Sequence, residues 1–183
     1  MNVKVVYASR YGSTAEIAGW IAQRLKIEKH TEVTLERADT AVGNGEYDLV
    51  LLGSGIYNHS FLPELEEYID CNIENLRNVN TALFGVVMKT EPVMVNGKAY
   101  GGLLNLEKYA EKLGKWCISG AMLHGEMVYS QMTEEDQKGL DKFYKMIGLN
   151  EEQSAAKKYP RTLMNKAECW AFAESILERM GKG

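Results

Sequence analysis

The chain has 183 residues, 45% hydrophobic and 25% charged, which is ordinary for a globular protein and long enough for a proper core. A net charge of −4 excludes nucleic acid as a main partner, because a phosphate backbone calls for a basic face. No apolar run approaches the roughly 18 residues of a membrane span, the start of the chain has no signal-peptide pattern, and three scattered cysteines (Cys71, Cys117, Cys169) fit free thiols in a reducing cytoplasm.

The first element is an apolar run, Val3–Ala8, read as a strand. It breaks into Ser9-Arg10-Tyr11-Gly12-Ser13-Thr14 and then into a helix over Thr14–Lys26, where Ile17, Ile21 and Leu25 recur at four-residue spacing. Ser13 followed three residues later by Glu16 has the form of a capping box. Thr31–Arg37 alternates, as an edge strand does, and Gly43-Asn44-Gly45 punctuates a loop. Leu49–Leu52 running into Gly53 predicts a central parallel strand buried on both faces. Phe61–Ile69 reads as a helix and Ala82–Met88 as another buried strand. Residues 89–100, with Pro92 and Asn96-Gly97, read as a loop.

A helix follows over Leu103–Leu113, with Leu103, Leu106, Ala110 and Leu113 on one stripe, and a fifth strand falls within Ala121–Tyr129. Thr133–Ile147 is an amphipathic helix capped by Thr133; residues 148–166 are polar and irregular; a last helix, Ala167–Met180, presents Trp170, Ala173, Leu177 and Met180 to the core. Five strands alternating with helices predict one α/β domain over residues 1–183, a doubly wound three-layer sandwich with strand order 2-1-3-4-5.

In such a sheet ligands bind beyond the C-terminal strand ends, where the winding reverses. The loops after the first and third strands meet there. Ser9, Arg10, Tyr11, Gly12, Ser13 and Thr14 offer hydroxyls and backbone N–H groups at a helix N-terminus, the chemistry of a phosphate nest. The same residues also make a plain strand-to-helix turn in which Ser13 only caps the helix. Gly53-Ser54-Gly55-Ile56-Tyr57-Asn58-His59 has small residues that admit a flat ring and a tyrosine that can stack on it, or it is a flexible loop with Tyr57 over the core. Met88, Lys89 and Thr90 open a third wall, in which Lys89 either offsets charge on a reduced ring or is solvated surface. The Gly-x-Ser-x-Gly elbow and the glycine-rich Lys-Ser/Thr loop are both lacking, and no Cys/His pair has metal-site spacing.

Tyr7-Ala8-Ser9-Arg10-Tyr11-Gly12-Ser13-Thr14 followed by Glu16-Ile17-Ala18 resembles the phosphate loop and first helix of flavodoxin-domain proteins. The branch containing menaquinone-dependent protoporphyrinogen oxidase is the most similar, and Gly53-Ser54-Gly55-Ile56-Tyr57 matches its second flavin loop. The resemblance implies non-covalent FMN, with its phosphate at Ser9–Thr14 and its ring between Ser54, Gly55, Ile56 and Tyr57 on one side and Met88, Lys89 and Thr90 on the other. It also implies electron transfer to redox partner proteins or to a small-molecule or quinone acceptor. The acidic Thr133-Glu134-Glu135-Asp136 departs from the oxidase branch, so the emphasis falls on an FMN electron carrier or small flavin oxidoreductase. Quinone-coupled porphyrinogen oxidation and a non-redox binding module of the same fold are the alternatives; oligomeric state is left open.

Overall fold

A computed structural model describes residues 1–43 and 45–181. Asn44, the middle of the predicted loop triplet, and Lys182 and Gly183, the end of the predicted domain, lie outside the described residues. Five parallel strands form the main sheet: β1 (Asn2–Ala8), β2 (Glu32–Arg37), β3 (Leu49–Gly55), β4 (Asn80–Val87) and β7 (Cys117–His124). Their order is β2-β1-β3-β4-β7, the predicted 2-1-3-4-5 winding. The last strand is numbered seventh because residues 89–100 are not plain loop. They hold a small hairpin, β5 (Val93–Val95) with β6 (Lys98–Tyr100), turned by Asn96 and Gly97 at φ 51° and 76°. Three-residue strands are too short to show a period; the Asn-Gly pair was the available hairpin signal.

Burial explains the layers. Every residue of β3 is buried, as a central parallel strand requires, whereas β2 is half-exposed at the edge. One face of the sheet, with Val3, Val5, Leu49, Leu51 and Phe84, packs against α1 (Ser13–Lys26) and α7 (Lys166–Gly181). The other face, with Val6, Val50, Leu52 and Leu83, packs against α2 (Pro63–Cys71), the short α3 (Ile73–Leu76) and α4 (Leu104–Leu113). Gly53 is a packing residue: a Cβ there would lie 1.9 Å from the Phe84 ring, so glycine is needed for the core rather than for a ligand.

Several predicted boundaries shift. Leu103 precedes α4 and is exposed, because the chain turns there through Gly101 and Gly102 at positive φ. The fifth sheet strand begins at Cys117, four residues earlier than the predicted window, with polar Ser119 and Gly120 diluting its apolar signal. In α7 the buried residues are Cys169, Phe172, Ala173 and Ile176, so the helix is rotated from the predicted stripe and Trp170, Leu177 and Met180 are only half-buried. Large side chains dominate a stripe read from sequence, whereas small Cys169 and Ala173 let α7 approach α1.

Residues 148–166, read as irregular, hold regular elements. They contain α6 (Glu151–Ala156), started by a reciprocal capping box between Asn150 and Gln153, and β9 (Arg161–Thr162), which pairs antiparallel with β8 (Glu126–Met127). Together with α5 (Glu134–Met146), capped by Thr133 as predicted, they make an excursion between β7 and α7.

One buried charge went unremarked in the sequence. Lys4, in the middle of β1, is 1% exposed. Its ammonium pairs with Glu36 at 2.9 Å, donates to the Val42 carbonyl and lies 5.3 Å from the centre of the Tyr47 ring. A satisfied buried ion is replaceable by an apolar isostere, but removing its partner strands the charge. Lys4→Met is therefore expected to fold with stability equal to or above wild type. Glu36→Gln is expected to lose about 2–3 kcal/mol, less than a fully buried pair because Glu36 is partly wet. Urea unfolding midpoints of the two variants check this, and equal losses would contradict it.

Candidate functional site

The winding reverses at β1, whose neighbours β2 and β3 follow it in opposite directions across the sheet. At that point the chain leaves Ala8 and enters α1 through Gly12, the N-cap, at φ 101°. Glycine is needed for that backbone angle, and it starts the helix with no side-chain cap. The predicted capping box is not formed, because Ser13 is already the first helical residue. Ser9 turns inward instead, its Oγ accepting from the Gly12 N–H at 3.1 Å. The first intrahelical bond runs from Glu16 N–H to the Gly12 carbonyl. Among the described residues the N–H groups of Ser13, Thr14 and Ala15 therefore have no hydrogen-bond partner. Three bare donors at the positive end of a 14-residue helix could hold an anion.

That helix end opens into a cavity of ≈ 980 Å³. The cavity brings together ten of the predicted residues: Ser9, Arg10, Tyr11, Ser13 and Thr14 from the first loop, Gly55, Ile56 and Tyr57 from the second, and Met88 and Lys89 from the third. Gly12, Ser54 and Thr90 are not on its wall. Gly12 sets the backbone behind it. Ser54 is fully buried, donating to the Gly55 carbonyl at 2.7 Å and accepting from the Leu62 N–H at 2.9 Å, so it pins the start of α2. Thr90 turns toward His124, its Oγ1 3.4 Å from Nε2, while His124 Nδ1 lies 3.1 Å from Glu168.

The second loop is not flexible filler. Asn58 and His59 both have positive φ, at 49° and 63°, in a two-residue turn closed by paired backbone bonds between Tyr57 and Ser60. His59 is oriented by Asn105 Oδ1 at 3.2 Å and lies against Tyr100, 5.8 Å between ring centres. The loop thus presents Tyr57 from a defined frame. Burial pushes the Tyr57 hydroxyl well above the usual phenol range, so it stays protonated.

Sequence reasoning missed Asp136. In α5 it reads as one of three acids in a helix first turn, and its partners lie some 125 residues away. The fold puts its carboxylate against the first loop. Both oxygens accept from Arg10 Nη1 at 2.8 Å, and Oδ2 accepts from the Tyr11 hydroxyl at 2.5 Å. Tyr11 in turn accepts from the Thr133 N–H at 2.9 Å, and the Arg10 guanidinium lies 4.5 Å from the centre of the Tyr57 ring. Burial works to raise the Asp136 carboxyl, but the bonds from Tyr11 and Arg10 outweigh it and hold the group below the usual carboxylate range. A lowered pKa means that the contact is complete at neutral pH and is lost only as pH falls through that lowered value.

The site is thus a bare helix N-terminus with three hydroxyls, a flat aromatic and a roomy cavity, roofed by α5. Those donors fit a phosphate, and the volume fits an organic cofactor of ordinary size. Among the described residues no three His, Cys, Asp or Glu side chains cluster as metal ligands, and no helix is long and apolar enough to cross a membrane. Removing the Asp136 charge frees Arg10 and ends the repulsion of an incoming anion. Asp136→Asn is expected to bind inorganic phosphate about tenfold more tightly, read by isothermal titration calorimetry at low salt. Unchanged or weaker binding would show that this carboxylate does not compete for the loop.

Residues 4–154 match the family model described as Flavodoxin domain. No curated protein matches the sequence. A flavodoxin from the domain Archaea superposes with a TM-score of 0.60 at 15% identity, covering 99% of each chain. Oxidised flavodoxin 2 from Bacillus cereus gives 0.50 at 23% identity, over 80% of this chain and 97% of that one. Rubredoxin oxygen:oxidoreductase from the anaerobe Desulfovibrio gigas gives 0.52 at 18% identity, over 85% of this chain but only 36% of that longer one. At these identities the structural likeness speaks for the fold; the family match, over most of the chain, shows that this protein belongs to the flavodoxin domain family, whose members imply a flavin cofactor and electron transfer to redox partners.

Proposed function

We propose that the chain, residues 1–183 as one domain, binds FMN without a covalent link and passes electrons between a cellular donor and acceptor in the cytoplasm. The observation that carries this reading is the uncapped N-terminus of α1 opening into the cavity at the sheet's reversal point. The N–H groups of Ser13, Thr14 and Ala15, with the hydroxyls of Ser9, Ser13 and Thr14, hold the phosphate; Gly12 supplies the turn. Gly55, Ile56 and Tyr57 flank the ring on one side and Met88 and Lys89 on the other, with Ser54 and Thr90 bracing those loops from behind. When bound, FMN supplies one- or two-electron chemistry. The chain's part is to hold it, to set its potential through Tyr57 and the nearby charges, and to keep water from the buried part of the ring. No side chain is required as nucleophile or base.

A second reading, a non-redox binding module of the same fold, draws on one observation: Asp136 already occupies Arg10 and Tyr11. If neither wild type nor Asp136→Asn turns yellow on reconstitution with FMN, that reading replaces the first. Quinone-coupled porphyrinogen oxidation rests on the sequence resemblance alone, in residues 7–18 and 53–57 and more loosely in 143–146 and 170–173; turnover with protoporphyrinogen and a quinone analogue decides it.

The direct test places a carboxylate among the bare N–H groups. Ser13→Asp adds an acid to the first turn, which favours the helix, so thermal stability should hold or rise. The same charge repels a bound phosphate, and FMN affinity by fluorescence titration is expected to fall by roughly a hundredfold or more. Unaltered FMN affinity in a stable variant would remove the phosphate from this loop.

A further inference from the structure

The cavity runs beyond the residues assigned to the cofactor. Its roof is one face of α5: Asp136 stands over the phosphate loop, and Leu140, Phe143 and Ile147 follow at helical spacing. From Asp136 to Ile147 the helix advances about 16 Å, so the far end of the cavity lies well away from the bare end of α1. Leu149 continues the apolar lining there. Two cations, Lys157 and Arg161, complete that end. Neither makes an ion pair among the described residues. Arg161 is held by the β8–β9 ribbon, opposite Met127 and one register position from Glu126, which does not pair with it. Its Nε is buried and has no hydrogen-bond partner.

A guanidinium N–H buried without an acceptor costs free energy unless something outside the chain supplies one. An acceptor oxygen from outside the chain completes it, a carboxylate does so most strongly because the guanidinium is charged, and the surface leading to it is apolar and aromatic. We propose that this far compartment is a second binding site, taking a flat, apolar organic acid with its carboxylate on Arg161 and its hydrocarbon body between Leu140, Phe143 and Ile147. This deepens the reading given above, for it makes the partner met inside the cavity a small aromatic acid. It rests on that reading only for what the acid meets, not for whether the acid binds.

The probes are naphthalene-2-carboxylate and naphthalene-2-carboxamide, equal in shape and different in charge, titrated calorimetrically into the full chain with and without FMN. The carboxylate is expected to bind at least about tenfold more tightly than the carboxamide. In Arg161→Gln that preference is expected to shrink to within about twofold while the carboxamide binds as in wild type, which a merely unfolded variant would not do. The carboxylate is also expected to bind whether or not FMN is loaded. Equal binding of the two probes to wild type, or a charge preference that survives Arg161→Gln, overturns the assignment. Displacement of the carboxylate by FMN overturns it too, since the far end would then belong to the cofactor's own site. If FMN fails to bind, the titration on the unloaded chain still reads this proposal separately.

Discussion

Among the described residues three N–H groups at the start of α1 have no acceptor, and the positions of the other parts make sense around that deficit. They lie at the point where the sheet reverses its winding, so β1 and β3 deliver two loops to the same place. Gly12 fixes the turn that leaves them bare, and the Ser9 hydroxyl accepts from the Gly12 N–H rather than from any of the three. The first N–H groups of a helix have no partner within it and are completed by water, by side chains or by a ligand. The helix dipole adds a preference for negative charge at the same spot.

The excursion between β7 and α7 turns this open end into a covered one. β8 and β9 form a small ribbon at its base, α5 crosses to the Ser9–Thr14 loop, and the Asp136 contacts with Arg10 and Tyr11 fasten it there. The fastening is electrostatically double-edged. Arg10 and Asp136 satisfy each other, yet Asp136 brings a negative charge beside the bare N–H groups of α1. An anion placed at the start of α1 would therefore compete with Asp136 for Arg10 rather than meet an unpaired charge.

Charge at the two ends of the cavity is arranged differently. Near the loop, cation and carboxylate are paired; near the ribbon, Lys157 and Arg161 have no carboxylate partner among the described residues. Between them lies one apolar face of α5.

The alternation of buried apolar runs with amphipathic helices determined the α/β class and the strand order, because a strand buried on both faces, such as Leu49–Leu52, leaves few other arrangements. The first loop was also legible, since Ser9–Thr14 between a strand and a helix is a local pattern. What the sequence did not decide was set by contacts distant in the chain. Ser13 reads as a cap until Gly12 takes that place; Ser54 reads as a ligand until Leu62 claims its oxygen; Asp136 reads as a first-turn acid until α5 lands on Arg10. The short hairpin at Val93–Tyr100 and the β8–β9 ribbon carry too few residues to show a period, and pairing alone makes them strands. Local spacing fixes which face of an element is apolar. Only tertiary structure decides which polar groups find each other, because hydrogen bonds and charge pairs depend on distances that no neighbouring residues encode.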